Sequence, residues 1–172
     1  MQRLIGGVLI LASTCGAGYM YCQELKSYLG KLRYLRYIFS LIRGEINYSC
    51  VPLPEVLSQV AERVKDPYGK WLSETAYSAK GRADSGFARI WNKCTEQYLK
   101  PLRLREEHSI LIKEAGTFLG CLEKDTLDHT LQMYLNRMDL EIEKQREGLA
   151  SKTRIGSCLG VMSGLFLIVL LL

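Results

Sequence analysis

Two segments without a single charged residue flank the middle of this chain, and they restrict its fold more than any other feature. Residues 4–22 and 155–172 are apolar and uncharged, and only Arg3 carries a charge outside residues 24–154. As a helix, the second segment would be about 27 Å long, against roughly 30 Å for the hydrocarbon core of a bilayer. Lipid offers no hydrogen-bond partner to a backbone, so a segment that crosses it must be helical. The pattern predicts one transmembrane helix at each end of a charged domain.

The predicted organisation has three parts. Residues 1–23 form the first transmembrane helix with a short flank, residues 24–154 form a domain in water, and residues 155–172 form the second transmembrane helix. Lysine and arginine concentrate on the cytoplasmic side of membrane helices. The inner flanks are rich in these residues, so the domain is predicted to face the cytoplasm. The inner basic residues are Lys26, Lys31, Arg33 and Arg36 after the first segment, and Lys144, Arg146, Lys152 and Arg154 before the second.

The first segment has an alternative interpretation as a cleaved signal peptide. Arg3 followed by an apolar run fits such a peptide, whereas the small-residue cleavage motif is absent and the apolar character continues through Met20 and Tyr21. These features favour an uncleaved membrane helix.

The second segment contains a pair of glycines, Gly160 and Gly164, with G-x-x-x-G spacing. This spacing lets two membrane helices approach closely. Glycine is also common in membrane helices in general. A packing role and this general abundance explain the pair equally well.

Apolar residues in the middle of the chain recur every three or four positions, which is the period of an amphipathic α-helix. No stretch alternates apolar and polar residues as a half-exposed strand would. The sequence therefore predicts an all-α fold, a six-helix cytoplasmic bundle flanked by the two transmembrane helices. The first helix has a seam of Leu25, Tyr28, Leu32, Leu35, Phe39, Ile42 and Ile46. The later helices are predicted at about 54–65, at about 69–79, at a fourth segment that holds Phe87, Ile90, Trp91, Cys94 and Leu99, at about 102–119, and from near Glu123 onward.

Proline, glycine and short polar residues mark where these helices begin and end. Pro52 and Pro54 suit a turn and the start of the second helix. Asp84 or Ser85 can cap the fourth helix, which follows a glycine-containing loop. Gly120 stands after the fifth helix, in the position of a C-terminal glycine cap.

The sequence offers few residues for catalysis or metal binding. Of its two histidines, His108 falls on the packed face of the fifth helix and is predicted to be a hydrogen-bonded core residue. His129 lies four residues after Asp125 and next to Asp128, which would suit a metal site, but a surface ion pair on a helix is the simpler interpretation. A glycine-rich phosphate loop is absent. We therefore expect no enzymatic activity, no cofactor and no metal ion.

Basic and aromatic residues are interleaved in the stretch 31–45, KLRYLRYIFSLIRGE, as in some helices that bind nucleic acid. The net charge of the chain is only +5, and part of the excess lies beside the membrane segments. A helix face close to anionic lipid explains the pattern without a further partner. We expect membrane lipid as a partner, and no nucleic acid.

Several short motifs follow one another along the chain. A glycine-containing first segment comes before EINYSCVPLPE, a fourth helix with a tryptophan, GTFLG and a final GLFLIVLLL. In this order and spacing the chain resembles the stage III sporulation protein AB family over nearly its whole length. After GTFLG the family usually has a small or polar residue, an aspartate and a glutamine, where this chain has Leu122, Glu123 and Leu127. The matching residues, expected to be mainly structural, are Glu45, Ile46, Tyr48, Pro52, Leu53, Trp91, Gly116, Leu119 and Gly120.

This resemblance implies a domain similar to the cytoplasmic domains of type II secretion platform proteins. It implies work in the mother-cell complex that builds a channel to the engulfed forespore, at the outer forespore membrane facing the mother cell. The implied partners are a cytoplasmic ATPase, stage III sporulation protein AA, and sister membrane subunits of the same complex. Platform proteins commonly self-associate, so a homo-oligomer is an open alternative that the sequence does not decide.

The leading hypothesis is a non-enzymatic platform subunit whose exposed arginines contact its partners. Arginine suits this role because its guanidinium can bind a carboxylate through two hydrogen bonds. The alternative is a membrane-anchored scaffold protein of the cell envelope that is unrelated to sporulation. The candidate contact residues are Arg33, Arg36, Arg43, Arg82 and Arg89.

Overall fold

The computed structural model describes the backbone of residues 2–49, 51–80, 86–120 and 124–171, and the side chains of residues 16, 19–49, 51–80, 86–120, 126–149 and 162. Every regular element in these ranges is helical, which confirms the predicted all-α fold. The described chain forms α1 (Gln2–Tyr48), α2 (Leu53–Arg63), α3 (Tyr68–Ala79), α4 (Phe87–Tyr98), a 3₁₀ helix (Lys100–Leu102), α5 (Glu106–Leu119) and α6 (Lys124–Leu171).

The chain divides into two compact units, and the long helices α1 and α6 contribute to both. Met1–Arg33 and Leu140–Leu172 form the first unit, and Tyr34–Asp139 forms the second. Because α1 runs from Gln2 to Tyr48, the first helix of the bundle continues directly from the first apolar segment. In the first unit, Cys22, Leu29 and Ile142 are among the buried side chains.

The two predicted membrane spans fall almost entirely on residues whose side chains lie outside the described part of the chain, and so do Gly160 and Gly164. Among the residues that are described, no helical stretch is long and apolar enough to cross a bilayer.

The core of the second unit forms around the predicted α1 seam. Leu35, Phe39 and Ile42 are completely buried, and Ile38 joins them between the predicted positions. Full burial of such a side chain contributes about 1.5–3 kcal/mol relative to leaving it in water. The three-four spacing of the seam thus places these side chains in the core of the unit.

Phe39 lies among the aromatic residues of three other helices. Its ring centroid is 6.5 Å from Trp71 on α3, 6.1 Å from Trp91 on α4 and 4.9 Å from Tyr134 on α6. The two indoles lie 4.6 Å apart. Such tilted and edge-on pairs add about 0.5–1.5 kcal/mol each beyond the burial of their area. The aromatic cluster therefore joins α1, α3, α4 and α6.

The polar atoms of this cluster have hydrogen-bond partners inside the core. The Trp91 indole N–H donates to the carbonyl oxygen of Ile112 at 2.8 Å, and the Trp71 indole N–H donates to the Thr95 hydroxyl at 3.2 Å. The Tyr134 hydroxyl donates to the carbonyl oxygen of Leu111 at 2.9 Å, and burial raises its pKa well above the usual value. The hydrogen bond that each group makes offsets the free-energy cost of removing it from water.

Helices α4 and α5 approach closely because α5 has glycine where α4 has aromatic rings. A methyl group on Gly116 would lie 2.5 Å from Cδ1 of Trp91, and one on Gly120 would lie 2.8 Å from Cβ of Phe87. Both the glycines and the aromatic residues are four positions apart, so each pair shares one helix face. One face of α4 thus packs directly on the backbone of α5.

Gly120 occupies the C-cap position of α5, as predicted, but for a different reason. Its φ of −91° and ψ of −10° are right-handed, so no left-handed turn requires glycine there. The close contact with Phe87 explains the glycine.

The start of α5 differs from the predicted position near residue 102. Pro101 lies in the 3₁₀ helix, Arg103 has a left-handed φ of 49°, and α5 begins only at Glu106. A left-handed residue cannot continue a right-handed helix, so the chain turns a corner before α5. Leu104 therefore precedes the helix and is partly buried against the core.

The other helices of the second unit begin and end within about two residues of their predicted positions. Pro54 lies in the first turn of α2, as expected, and Pro52 is its N-cap residue. The caps proposed for α4 at Asp84 or Ser85 lie outside the described residues, and Gly86 holds the N-cap position.

We predict that Gly116→Ala destabilises the protein by about 1–3 kcal/mol, because the added methyl group would overlap Trp91 in a filled core. Urea unfolding of the full chain in detergent, followed by tryptophan fluorescence, would measure the loss. Gly44→Ala is the matched control, because a methyl group there meets no atom within 4 Å. It should raise stability by up to about 1 kcal/mol through the higher helix propensity of alanine. Equal effects of the two variants would contradict this account of the α4–α5 contact.

Candidate functional site

The junction between α1 and α2 combines buried anchors with one fully exposed aromatic residue. Ile46 is buried, and Glu45 accepts a 2.5 Å hydrogen bond from Arg63 of α2. Tyr48, at the last position of α1, is 92% exposed. Pro52 follows on the surface and starts α2. Three of these family-motif residues thus fix the turn, whereas the side chain of Tyr48 lies in solvent.

The remaining family-motif residues are structural. Trp91 and Leu119 are buried, Gly116 and Gly120 provide the close contact with α4, and Leu53 packs half-buried against the core. All of these residues except Gly120, which contacts Phe87 of α4, are buried or half-buried in the second unit.

A polar network joins α1 to α6 on one side of the second unit. Arg43 donates to both carboxylate oxygens of Asp128, at 2.6 and 3.1 Å, and to the amide oxygen of Gln132. Asn47 donates to the same carboxylate at 2.5 Å. The hydrogen bonds from Arg43 and then Asn47 lower the pKa of Asp128 to about 2. With both side chains about one-third exposed, this ion pair is an orienting contact rather than a large source of stability.

A second arginine, one heptad earlier on α1, makes the same kind of contact. Arg36 donates through two nitrogens to the two oxygens of Asp139, each at 2.9 Å. Arg36 and Arg43, predicted as exposed contacts for a partner, therefore bind carboxylates of α6 within the second unit. Of the other candidate contacts, Arg33 and Arg89 are exposed, and Arg82 lies outside the described residues.

The two histidines are placed as the spacing predicts. His108 is buried on the packed face of α5, and His129 is exposed on α6. Asp128, the carboxylate next to His129, is bound by Arg43 and Asn47 rather than available to a metal ion. No group of three metal-ligating side chains occurs among the described residues.

The partners of the α1 arginines, which are Asp128, Asp139 and Gln132, could not be identified from the sequence alone. The arginines are seven residues apart on α1 and the aspartates eleven apart on α6, so each pair shares one helix face. This periodicity was available in the sequence. It does not show that the two faces meet, because the paired residues are 85 and 103 positions apart.

Comparisons with known proteins agree on one relationship. A family model described as Stage III sporulation protein AB matches residues 3–172. The curated stage III sporulation protein AB of Bacillus subtilis (strain 168) is 22% identical over 172 residues, which is 100% of each chain. A solved structure of stage III sporulation protein AB superposes with a TM-score of 0.60 at 18% identity, covering 70% of this chain and 94% of that chain. At this identity the structural match supports the fold alone.

We predict that Asp128→Asn destabilises the protein at pH 7 and has little effect at pH 2. The pKa of Asp128 is about 2 in the folded state, below its usual value of 3.8. Its contribution is therefore fully present above about pH 4 and is lost as the pH falls through 2. The difference between the unfolding midpoints of wild type and variant should shrink over that range in denaturant titrations.

Glu143→Gln is the control, since Glu143 makes a 3.4 Å exposed contact with Arg146 and should change the midpoint little at either pH. A pH-independent loss in Asp128→Asn would contradict the assignment of this network.

Proposed function

The chain belongs to the stage III sporulation protein AB family and has a role related to sporulation, and from this premise we propose that it is a non-enzymatic platform subunit. It is a two-pass protein of the outer forespore membrane with its bundle facing the mother-cell cytoplasm. The bundle docks a cytoplasmic ATPase, stage III sporulation protein AA, and sister membrane subunits of the channel to the forespore.

The observation that carries this proposal is the position of the two charge-free segments in the long helices. Residues 4–22 lie within α1 and residues 155–172 include the end of α6. Helices of 47 and 48 residues are about 70 Å long. Each is therefore long enough to contribute a membrane span and a bundle helix without interruption.

The use of polar groups in the bundle supports a binding role over a catalytic one. The buried hydroxyls of Thr75 and Thr95 donate to the carbonyl oxygens of Trp71 and Trp91, four residues earlier. The perturbed carboxylate of Asp128 is bound by Arg43. These groups maintain the fold, and the exposed side chains are left for recognition.

Exposed residues of the family motif and of the predicted set are the candidate contacts for the ATPase. Tyr48 is almost fully exposed, and tyrosine supplies a large contact area with a polar end. Arg33 and Arg89 are exposed and suit acidic partners. Arg36 and Arg43 are weaker candidates, because a partner would compete with Asp139 and Asp128. Family membership favours this sporulation role over an unrelated envelope scaffold.

We predict that the full chain in membrane vesicles retains the ATPase in a pull-down, and that Arg89→Glu together with Tyr48→Ala lowers the retained amount at least fivefold. Arginine and aromatic residues dominate such interfaces, so removing both should weaken binding strongly. Lys65→Glu with Tyr77→Ala is the matched control, because Lys65 and Tyr77 are also exposed. Absence of binding by the wild type in any nucleotide state would overturn the docking role. Equal losses in both double variants would overturn the choice of contacts.

A further inference from the structure

Some of the acidic residues described in the second unit form ion pairs within it, and the others are exposed on its surface. Six of these carboxylates form ion pairs with lysine or arginine of the same unit. They are Glu45, Asp66, Glu96, Glu114, Asp128 and Asp139. The other exposed carboxylates described in this unit are Glu55 and Glu62 on α2, Glu74 on α3, and Glu106 and Glu107 on α5. The pair on α2 is separated by seven residues, and so are the exposed ammonium groups of Lys93 and Lys100 along α4.

The outer face of α2 carries Glu55, Gln59 and Glu62, all exposed. Spacings of four and three residues place them in one row along the helix. The neighbouring Arg63 does not neutralise Glu62, because its guanidinium is bound to Glu45.

The outer face of α4 repeats this row with the opposite charge. Lys93, Gln97 and Lys100 are exposed and have the same spacings of four and three residues. The neighbouring Glu96 is engaged by Lys113 of α5 at 2.6 Å. Leu99 keeps a helical backbone, so Lys100 continues the row beyond the last residue of α4.

The directions of α2 and α4 make these rows compatible between copies. Both helices pack on α3, and short connections link α2 to α3 and α3 to α4. Neighbouring bundle helices joined by short connections are typically antiparallel, so we expect α2 and α4 to run in the same direction. A second copy displaced sideways, without being inverted, would place its α4 parallel to α2 of the first.

We propose that this chain associates head to tail with a second copy of itself, through α2 of one copy and α4 of the next. Glu55 then faces Lys93 of the next copy, Glu62 faces Lys100, and the two glutamine amides between them pair as donor and acceptor. The two glutamates of α2 are seven residues apart, and so are the two lysines of α4. Each row is therefore about 10 Å long, so both ion pairs can form at once. Such an interface is heterologous and builds a ring or an open chain.

This inference does not depend on the ATPase or on the channel complex. Exposed ion pairs are individually weak and are screened by salt, so the association requires a high local concentration. It is therefore expected in membranes or in concentrated protein at low ionic strength, and it should weaken as salt is added.

The orientation is tested by crosslinking between two differently tagged full-length copies in membrane vesicles. One copy carries Gln59→Cys and the other Gln97→Cys, and a short bismaleimide joins thiols that lie close together. Peptide mapping should identify crosslinks between positions 59 and 97 of different copies. Crosslinks only between identical positions would show a two-fold interface and overturn the proposal, as would a complete absence of crosslinks at either position.

The charge match is tested by reversing each row separately. Glu55→Lys with Glu62→Lys makes both rows positive, and Lys93→Glu with Lys100→Glu makes both rows negative. These reversals are made in the cysteine variants used for crosslinking. Each reversed chain alone should give at least fivefold less crosslinked product between copies than the unreversed chain. An equal mixture of the two should regain it, because every α2 row then meets an α4 row of opposite charge.

Glu74→Lys with Lys80→Glu is the matched control, since both residues are exposed on or beside α3 and lie outside the two rows. It should leave the crosslinked fraction unchanged. Losses in the reversed chains that the mixture does not restore would assign the rows to a different partner, such as an acidic protein or anionic lipid, and would overturn self-association. Far-UV circular dichroism of each variant separates these outcomes from unfolding.

Discussion

The bundle depends on the contact between the Trp91 indole and the backbone of α5. The ring lies against Gly116, and its N–H reaches the carbonyl oxygen of Ile112, so one side chain satisfies both close packing and hydrogen bonding. The same ring lies near Trp71 and Phe39, which belong to α3 and α1. A side chain of a different shape at this position would leave a cavity, and one without a donor would lose the hydrogen bond to Ile112. Gly116 and Trp91, which both belong to the family motif, therefore form a single contact between α5 and α4.

Much of the second unit could be predicted from periodicity alone. The α1 seam, the start of α2 at a proline and the burial of His108 follow from spacing and from the backbone restrictions of proline. The corner before α5 was missed because a left-handed arginine has no sequence signature. Gly120 was located correctly but explained wrongly, because close approach of a neighbouring helix and a left-handed turn both favour glycine.

The ion pairs of the α1 arginines could not be predicted from the sequence in the way that the fold could. Exposure of an arginine can be judged from its helix face, but its partner depends on which faces meet in three dimensions. Arg36 and Arg43 lie off the apolar seam, as predicted, yet α6 supplies carboxylates that engage them. Leu127, where the family usually has glutamine, is buried in the core. Apolar patterning constrains such a position, whereas nothing local constrains the long-range ion pairs.

The burial of both tryptophans also gives this protein an internal optical reporter. The chain contains two tryptophans, and both are completely buried within 4.6 Å of each other. Their emission therefore arises from a single dry environment at the centre of the second unit. Binding at an outer helix face leaves that environment intact, whereas separation of α3 from α4 admits water and shifts the emission to longer wavelength. Intrinsic fluorescence thus distinguishes association that preserves the bundle from association that opens it, without any added label.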